Sequence, residues 1–216
     1  MDKGRLEAFS DGVFAVAITL LALNLTVDGP GHGPLIHQLG RHWPQYAAYV
    51  VSFSTIGIIW VNHHSLLRTF AKTDRTLLFL NLLLLMVVVV FPFVTSTLAT
   101  YLTAPSRDAH VAAALYSSAG LAMALAFSAI FRWSLKDDRL IEPVPPEMVR
   151  RATWRFTGGT LVYVVCIALS FVSAPAALVG NGLVDVYYVF EQTPLSLASG
   201  TTDEPGSPED KRRRPP

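Results

Sequence analysis

The sequence predicts an all-helical, polytopic membrane protein with six transmembrane helices. Three observations carry that prediction: apolar runs too long for soluble helices, polar breakers between them, and Lys and Arg gathered on alternate connections. Of 216 residues, 51% are hydrophobic and only 15% are charged, with a mean hydropathy of +0.41; that balance belongs to membrane chains more than to globular ones. The formal net charge is +1, with no concentrated basic face outside the extreme C-terminus, so a nucleic-acid partner is not indicated. Cys166 is the single cysteine. It excludes an intrachain disulfide and offers no metal-site spacing.

The first span is read at about Phe9 to Val27, ending at Asp28-Gly29-Pro30-Gly31. It follows a polar Met1 to Glu7 and lacks a small-residue cleavage pattern, which makes it a retained helix and not a signal peptide. The second runs from about Pro44 to Phe70 and the third from about Thr76 to Leu102, the latter holding the most lipid-like stretch, Leu82 to Val90, and an expected kink at Pro92. The fourth covers about Asp108 to Leu135 and is rich in Ala and Gly, which let helices approach closely in lipid. After a polar, proline-rich connection from Asp137 to Pro146, the fifth spans about Val149 to Ser173. The sixth, shorter and less apolar, spans about Pro175 to Gln192. Residues 1–192 thus make one membrane domain. Residues 193–216, rich in Ser, Pro, Gly, Thr and acidic groups and closing on Lys211-Arg212-Arg213-Arg214, read as a disordered cytoplasmic tail.

Orientation follows from the basic residues. Lys3 and Arg5 precede the first span, Arg68, Lys72 and Arg75 lie between the second and third, and Arg132, Lys136, Arg139, Arg150, Arg151 and Arg155 surround the fourth-to-fifth connection. The positive-inside rule then places both termini in the cytoplasm, which requires an even number of spans and so fits six.

Asp11 falls within the first span, where an ionisable group is costly and marks either an ion pathway or a structural polar knot. Depth brings other polar residues level with it. Asp11, His63, His64 and Asn81 all lie roughly 7–10 Å below the same surface at a 1.5 Å rise per residue. Imidazole, amide, the Ser10 hydroxyl and the Trp60 indole can all donate to a carboxylate there. Such a cluster pins three helices together or relays protons; nothing local assigns Asn62 to it or to solvent.

At about 100° per residue, Val16, Leu20, Leu23 and Val27 project within a narrow apolar stripe, Gly12 and Thr19 border it, and Asp11 lies on another side. Residue physics alone lets that stripe face lipid as readily as the interior of an assembly.

Arg5-x-x-x-Phe9-Ser10-Asp11 opening the first span, with Trp60, His64 and Phe70 in the second and Asn81 in the third, resembles the transmembrane protein 175 potassium-channel family in its prokaryotic six-helix form. The likeness covers roughly residues 5 to 190 and is most specific in the first three spans. It implies a homotetramer in a prokaryotic cell membrane, with the four first helices around a pore and apolar side chains forming the constriction. By position, Val16 matches the family's first constriction residue, Leu20 and Leu23 continue it, and Thr19 matches a threonine associated with potassium preference. Val16 is smaller than the isoleucine or leucine common there. The resemblance further implies that Arg5, Ser10, Asp11, Trp60, His64 and Asn81 form a supporting network. No cofactor or resident metal is implied, and the only other partners are potassium ions and membrane lipids.

Other classes fit less well. A carbonyl-lined filter needs Thr-Val-Gly-Tyr-Gly, and Val179-Gly180-Asn181-Gly182 matches it superficially, with no room for a pore helix. A proton-coupled transporter would use Asp11 and His64, with Gly158-Gly159 marking a discontinuous helix, yet no inverted repeat is evident. An intramembrane metalloenzyme is disfavoured, because His63 and His64 are adjacent and not in H-E-x-x-H spacing, and no catalytic serine motif is present.

Overall fold

A computed structural model describes residues 3–104, 107–136, 139–142 and 144–190, the side chains of Arg155 and Phe190 excepted. The expected tail, 193–216, lies outside the described residues. The helices are α1 (Lys3–Leu21), α2 (Leu35–Arg41), α3 (Trp43–Arg68), α4 (Arg75–Tyr101), α5 (Arg107–Ser134), α6 (Pro146–Ser170) and α7 (Ala174–Phe190). Among the described residues, α1 with its following turn, α3, α4, α5 and α6 are long and apolar enough to cross a membrane. The chain is therefore an integral membrane protein. Helix α7 has 17 residues, about 25 Å at 1.5 Å per residue against a hydrocarbon core of about 30 Å.

Each apolar run became a helix because in a hydrocarbon solvent every backbone N–H and C=O must be satisfied within its own segment. The first one stops sooner than its hydropathy implies. After Leu21 the chain tightens into a 3-10 turn, Ala22–Asn24, and Leu25 is extended. Helix α4 passes through Pro92 without interruption. Gly158 and Gly159 lie inside a continuous α6, and Val179 to Gly182 lie inside α7. The filter-like match and the discontinuous helix of the disfavoured readings therefore find no corresponding structure among the described residues.

Helix α4 sits centrally, packing on α1, α3 and α5, while α7 closes against α3, α5 and α6. The core is continuous through Phe14, Leu21, Leu84, Val88, Phe91 and Phe127. Small residues permit the tightest approaches, as hydrocarbon-phase packing demands: a Cβ on Gly120 would collide with the Tyr163 ring, and one on Gly159 with the Tyr188 hydroxyl.

The short α2 was not expected. Gly29, Gly31 and Gly33 all take positive φ (89°, 95° and 91°), a conformation that only glycine adopts without strain, and the buried Gln38 amide ties this turn together. Gln38 donates to the Gly29 and Gly33 carbonyls at 2.9 and 2.8 Å and accepts from the Gly29 N–H at 2.9 Å. The Arg41 guanidinium and His42 beside Asp28 hold its carboxyl below the usual value of 3.8.

The two basic connections meet at one end of the bundle. Phe70 bridges Leu140, Ala71 N donates to Arg139 O at 2.8 Å, and Ile141 N to Thr69 O at 2.9 Å. Asp74 caps α4 by accepting from Leu77 N at 2.8 Å, and also takes the Trp133 indole at 3.2 Å and Arg139 at 3.5 Å. Lys3 fastens the start of α1 to the same place, donating to the Arg68 and Phe70 carbonyls at 2.9 and 3.1 Å. Phe70 itself is buried edge-on to Trp133, ring centroids 5.3 Å apart.

Candidate functional site

The polar residues level with Asp11 form two neighbouring groups. In the inner one Asn81 is central: its amide donates to Ser10 Oγ at 3.0 Å, its oxygen lies 2.7 Å from His63 Nε2, and the Ser10 hydroxyl donates a hydrogen bond to the Leu6 carbonyl at 2.9 Å. All three side chains are buried, linking α1, α3 and α4. His63 also lies against Phe14, ring centroids 5.4 Å apart. The outer group is half-exposed. The Trp60 indole donates to Asp11 Oδ1 at 2.8 Å and stacks on His64 at 5.9 Å between centroids. His63 and His64 part company because adjacent helical residues point about 100° apart. Each keeps a buried Nδ1 without a hydrogen-bond partner among the described residues. Arg5 is exposed, and Asn62 lines a separate cavity with Thr55, Tyr163, Asp185 and Tyr188.

Helix α1 has two apolar faces. The one packed on its own subunit is Leu6, Ser10, Phe14, Ala17 and Leu21, all buried. The other is the expected stripe, and it is open: Val16 is 56% exposed, Leu20 39% and Leu23 75%. At about 100° per residue the two faces are about 110° apart. Phe9, also exposed, extends the stripe toward the start of the helix. Leu23 belongs to the 3-10 turn, so a strict α-helical projection no longer holds for it. Thr19 is exposed beside the stripe and donates its hydroxyl proton to the Val16 carbonyl at 2.9 Å; this leaves the oxygen lone pairs pointing away from the backbone.

A second polar cluster escaped the sequence reading. Ser52 Oγ lies 2.7 Å from Thr95 Oγ1 and 2.9 Å from the Tyr116 hydroxyl, Thr55 Oγ1 donates to Asp185 Oδ2 at 2.8 Å, and Asn181 donates to Ser117 Oγ at 2.9 Å. These bonds tie α3, α4, α5 and α7 and leave α1 out. Asp185 inside an apolar helix was the available signal; Ser, Thr and Tyr are too common in membrane helices to have pointed to it.

The architecture, a bundle of membrane-length helices with an ionisable group on its first one, defines a polytopic integral membrane protein with a polar group set inside a span. The profile of the family described as "Endosomal/lysosomal potassium channel TMEM175" matches residues 5–92. A potassium channel of Streptomyces collinus is 52% identical over 198 residues, covering 90% of this chain and 95% of the relative. The chain belongs to the TMEM175 family. The crystal structure of a lysosomal potassium-selective channel TMEM175 homologue from Chamaesiphon minutus superposes with a TM-score of 0.76 at 38% identity, covering 87% of this chain and 96% of that one. The endosomal/lysosomal proton channel TMEM175 of Mus musculus is 40% identical over 92 residues, 38% of this chain and 18% of the mouse protein.

Proposed function

We propose that four copies of this chain form a potassium-selective cation channel, with the α1 helices around the axis and rings of Val16, Leu20 and Leu23 forming an apolar neck. The observation that carries the reading is helix α1 itself, which has an apolar stripe uncovered by its own subunit and, on a different side, the half-exposed Asp11. Ionisable groups in membrane helices face bundle interiors or water-filled cavities, because beside acyl chains they cost several kcal/mol, roughly 2.5–3.5 on insertion scales. Asp11 projects away from the stripe and is held by Trp60 of its own subunit, so it argues that α1 as a whole sits inside an assembly, and the uncovered stripe supplies the face for its axis. The potassium channels of Streptomyces collinus and Chamaesiphon minutus, similar along most of their length, supply the choice of ion.

An aliphatic ring offers no oxygen ligands, so a cation crosses it hydrated or sheds water at a cost, and the neck gates by width and dewetting. Potassium holds its shell less tightly than sodium and is penalised less. Thr19, its proton engaged by the Val16 carbonyl, presents only lone pairs and can stand in for a lost water. Asp11, Ser10, Trp60, His64 and Asn81 hold α1 in register. Arg5, exposed on its own subunit, meets its partners across the subunit boundary. With α7 as a sixth span, accommodated by local bilayer thinning, both termini lie in the cytoplasm.

Purified protein in planar bilayers under opposed potassium and sodium gradients tests the reading. The reversal potential should move toward the potassium equilibrium value, and Val16→Ala or Leu23→Ala should weaken discrimination or raise leak current. A wild-type reversal potential indifferent to the cation refutes selectivity; unchanged currents and potentials in both variants refute the neck.

A second reading, a proton-coupled transporter using Asp11 and His64, draws on the buried, unpaired His64 Nδ1 stacked against the indole that holds Asp11. It requires obligatory proton coupling and saturating, slow turnover in the same bilayers.

A further inference from the structure

We infer that the groove between α5 and α6 binds one anionic phospholipid, its phosphate at Arg132 and an acyl chain along the α6 wall toward Val164. The groove encloses about 390 Å³ and is lined by Leu125, Ser128, Arg132, Thr157, Leu161 and Val164 among others. Its depth fits one leaflet: Thr153 to Val164 is about 16 Å along the helix at 1.5 Å per residue, against about 15 Å for half of a 30 Å hydrocarbon core. On α6, Arg150, Thr153, Thr157, Leu161 and Val164 project within an arc of about 80°, so a single face runs from charge to hydrocarbon.

The wall is more apolar than its composition. Ser128, Thr153 and Thr160 donate their hydroxyl protons to the carbonyls of Ala124, Val149 and Phe156, four residues back on their own helices, at 2.7, 2.8 and 2.8 Å. The mouth is the reverse. Arg132 lines it and Arg150 lies on the same face of α6; both are exposed, and among the described residues neither forms an ion pair. Trp154, 72% exposed, stands beside them, as aromatic residues do at the headgroup level. Two guanidinium groups with no ion pair among the described residues, over an apolar slot one leaflet deep, complement a phosphodiester with its chain. A zwitterionic lipid brings an ammonium that these arginines repel.

Native mass spectrometry of the purified full-length protein, with phosphatidylglycerol or phosphatidylcholine of identical chains added, tests the site. The wild type should retain phosphatidylglycerol preferentially. Arg132→Gln should lower that retention about fivefold, the equivalent of the ~1 kcal/mol a basic side chain contributes near an anionic surface. Thr157→Trp, which fills the slot without touching a charge, should lower it with the assembly mass unchanged. Equal retention of the two lipids by the wild type, or undiminished phosphatidylglycerol on both variants, overturns the site. So does displacement by millimolar inorganic phosphate, which would mark a headgroup contact without an acyl groove, or a changed subunit number in Thr157→Trp, which would mark a contact between copies.

Discussion

Two polar clusters occupy this bundle about 12 Å apart along α3, as the eight-residue separation of Thr55 and His63 requires at 1.5 Å per residue, and they hold different things. The Ser10–Asn81–His63 group ties α1 to α3 and α4, whereas the group around Ser52, Tyr116 and Asp185 ties α3, α4, α5 and α7 and never reaches α1. Helix α1 is consequently pinned by polar contacts over its first half, from Lys3 to Asp11, and by apolar packing of Phe14, Ala17 and Leu21 beyond it. Interhelical hydrogen bonds are directional and van der Waals contacts are not. The half of α1 that carries Val16 and Leu20 is thus held to the frame by apolar packing and, among the described residues, by no side-chain hydrogen bond to another helix.

The largest expected effect is in the α1 cluster. Asn81→Ala removes the partner that Ser10 and His63 share, leaving both buried groups short of a bond; it should lower unfolding stability by roughly 1–3 kcal/mol and alter conduction, read by thermal melting and bilayer recording. Tyr116→Phe removes one hydroxyl from the other cluster while keeping its packing. It should cost on the order of 0.6 kcal/mol, the average for such bonds in membranes, with the reversal potential unmoved. A changed selectivity in Tyr116→Phe would break the division between frame and pore helix. Asp185→Asn keeps an acceptor for Thr55 and should likewise leave conduction intact; loss of current there would move Asp185 into the permeation pathway.

The smallest effect belongs to the turn before α2. Asp28 has its folded value depressed by Arg41 and His42, so its contribution is present above the usual 3.8 and fades as pH falls through the lower folded value. Because the site is exposed, the expected outcome is a loss of amide-exchange protection at Gly29, measured against its intrinsic rate, below pH 4, with the bundle helices unaffected.

Five of the six expected spans and the three-helix meeting of Ser10, Asp11, Trp60, His64 and Asn81 were legible because depth in a membrane is a one-dimensional count from the helix end. What depth cannot give is rotation. The sequence placed Asp11 and both histidines in one knot, and their helical phases split them into two groups. The packed face of α1 was hidden because Leu6, Phe14, Ala17 and Leu21 are no more apolar than the open stripe beside them. In a helix apolar on all sides, hydropathy carries no phase. The 3-10 end of α1 and the Gln38-knotted turn depend on local amide geometry that hydropathy does not register, and the length of α7 leaves its crossing to the bilayer.

Cysteine accessibility tests the central claim most directly, since Cys166 is buried and provides a quiet background. With a membrane-impermeant cationic thiol reagent applied during bilayer recording, Val16→Cys and Leu20→Cys channels should lose their current, while Leu82→Cys on the exposed face of α4 should not. Current that persists in the two α1 variants, or is lost equally at Leu82, would place α1 against lipid and contradict the account.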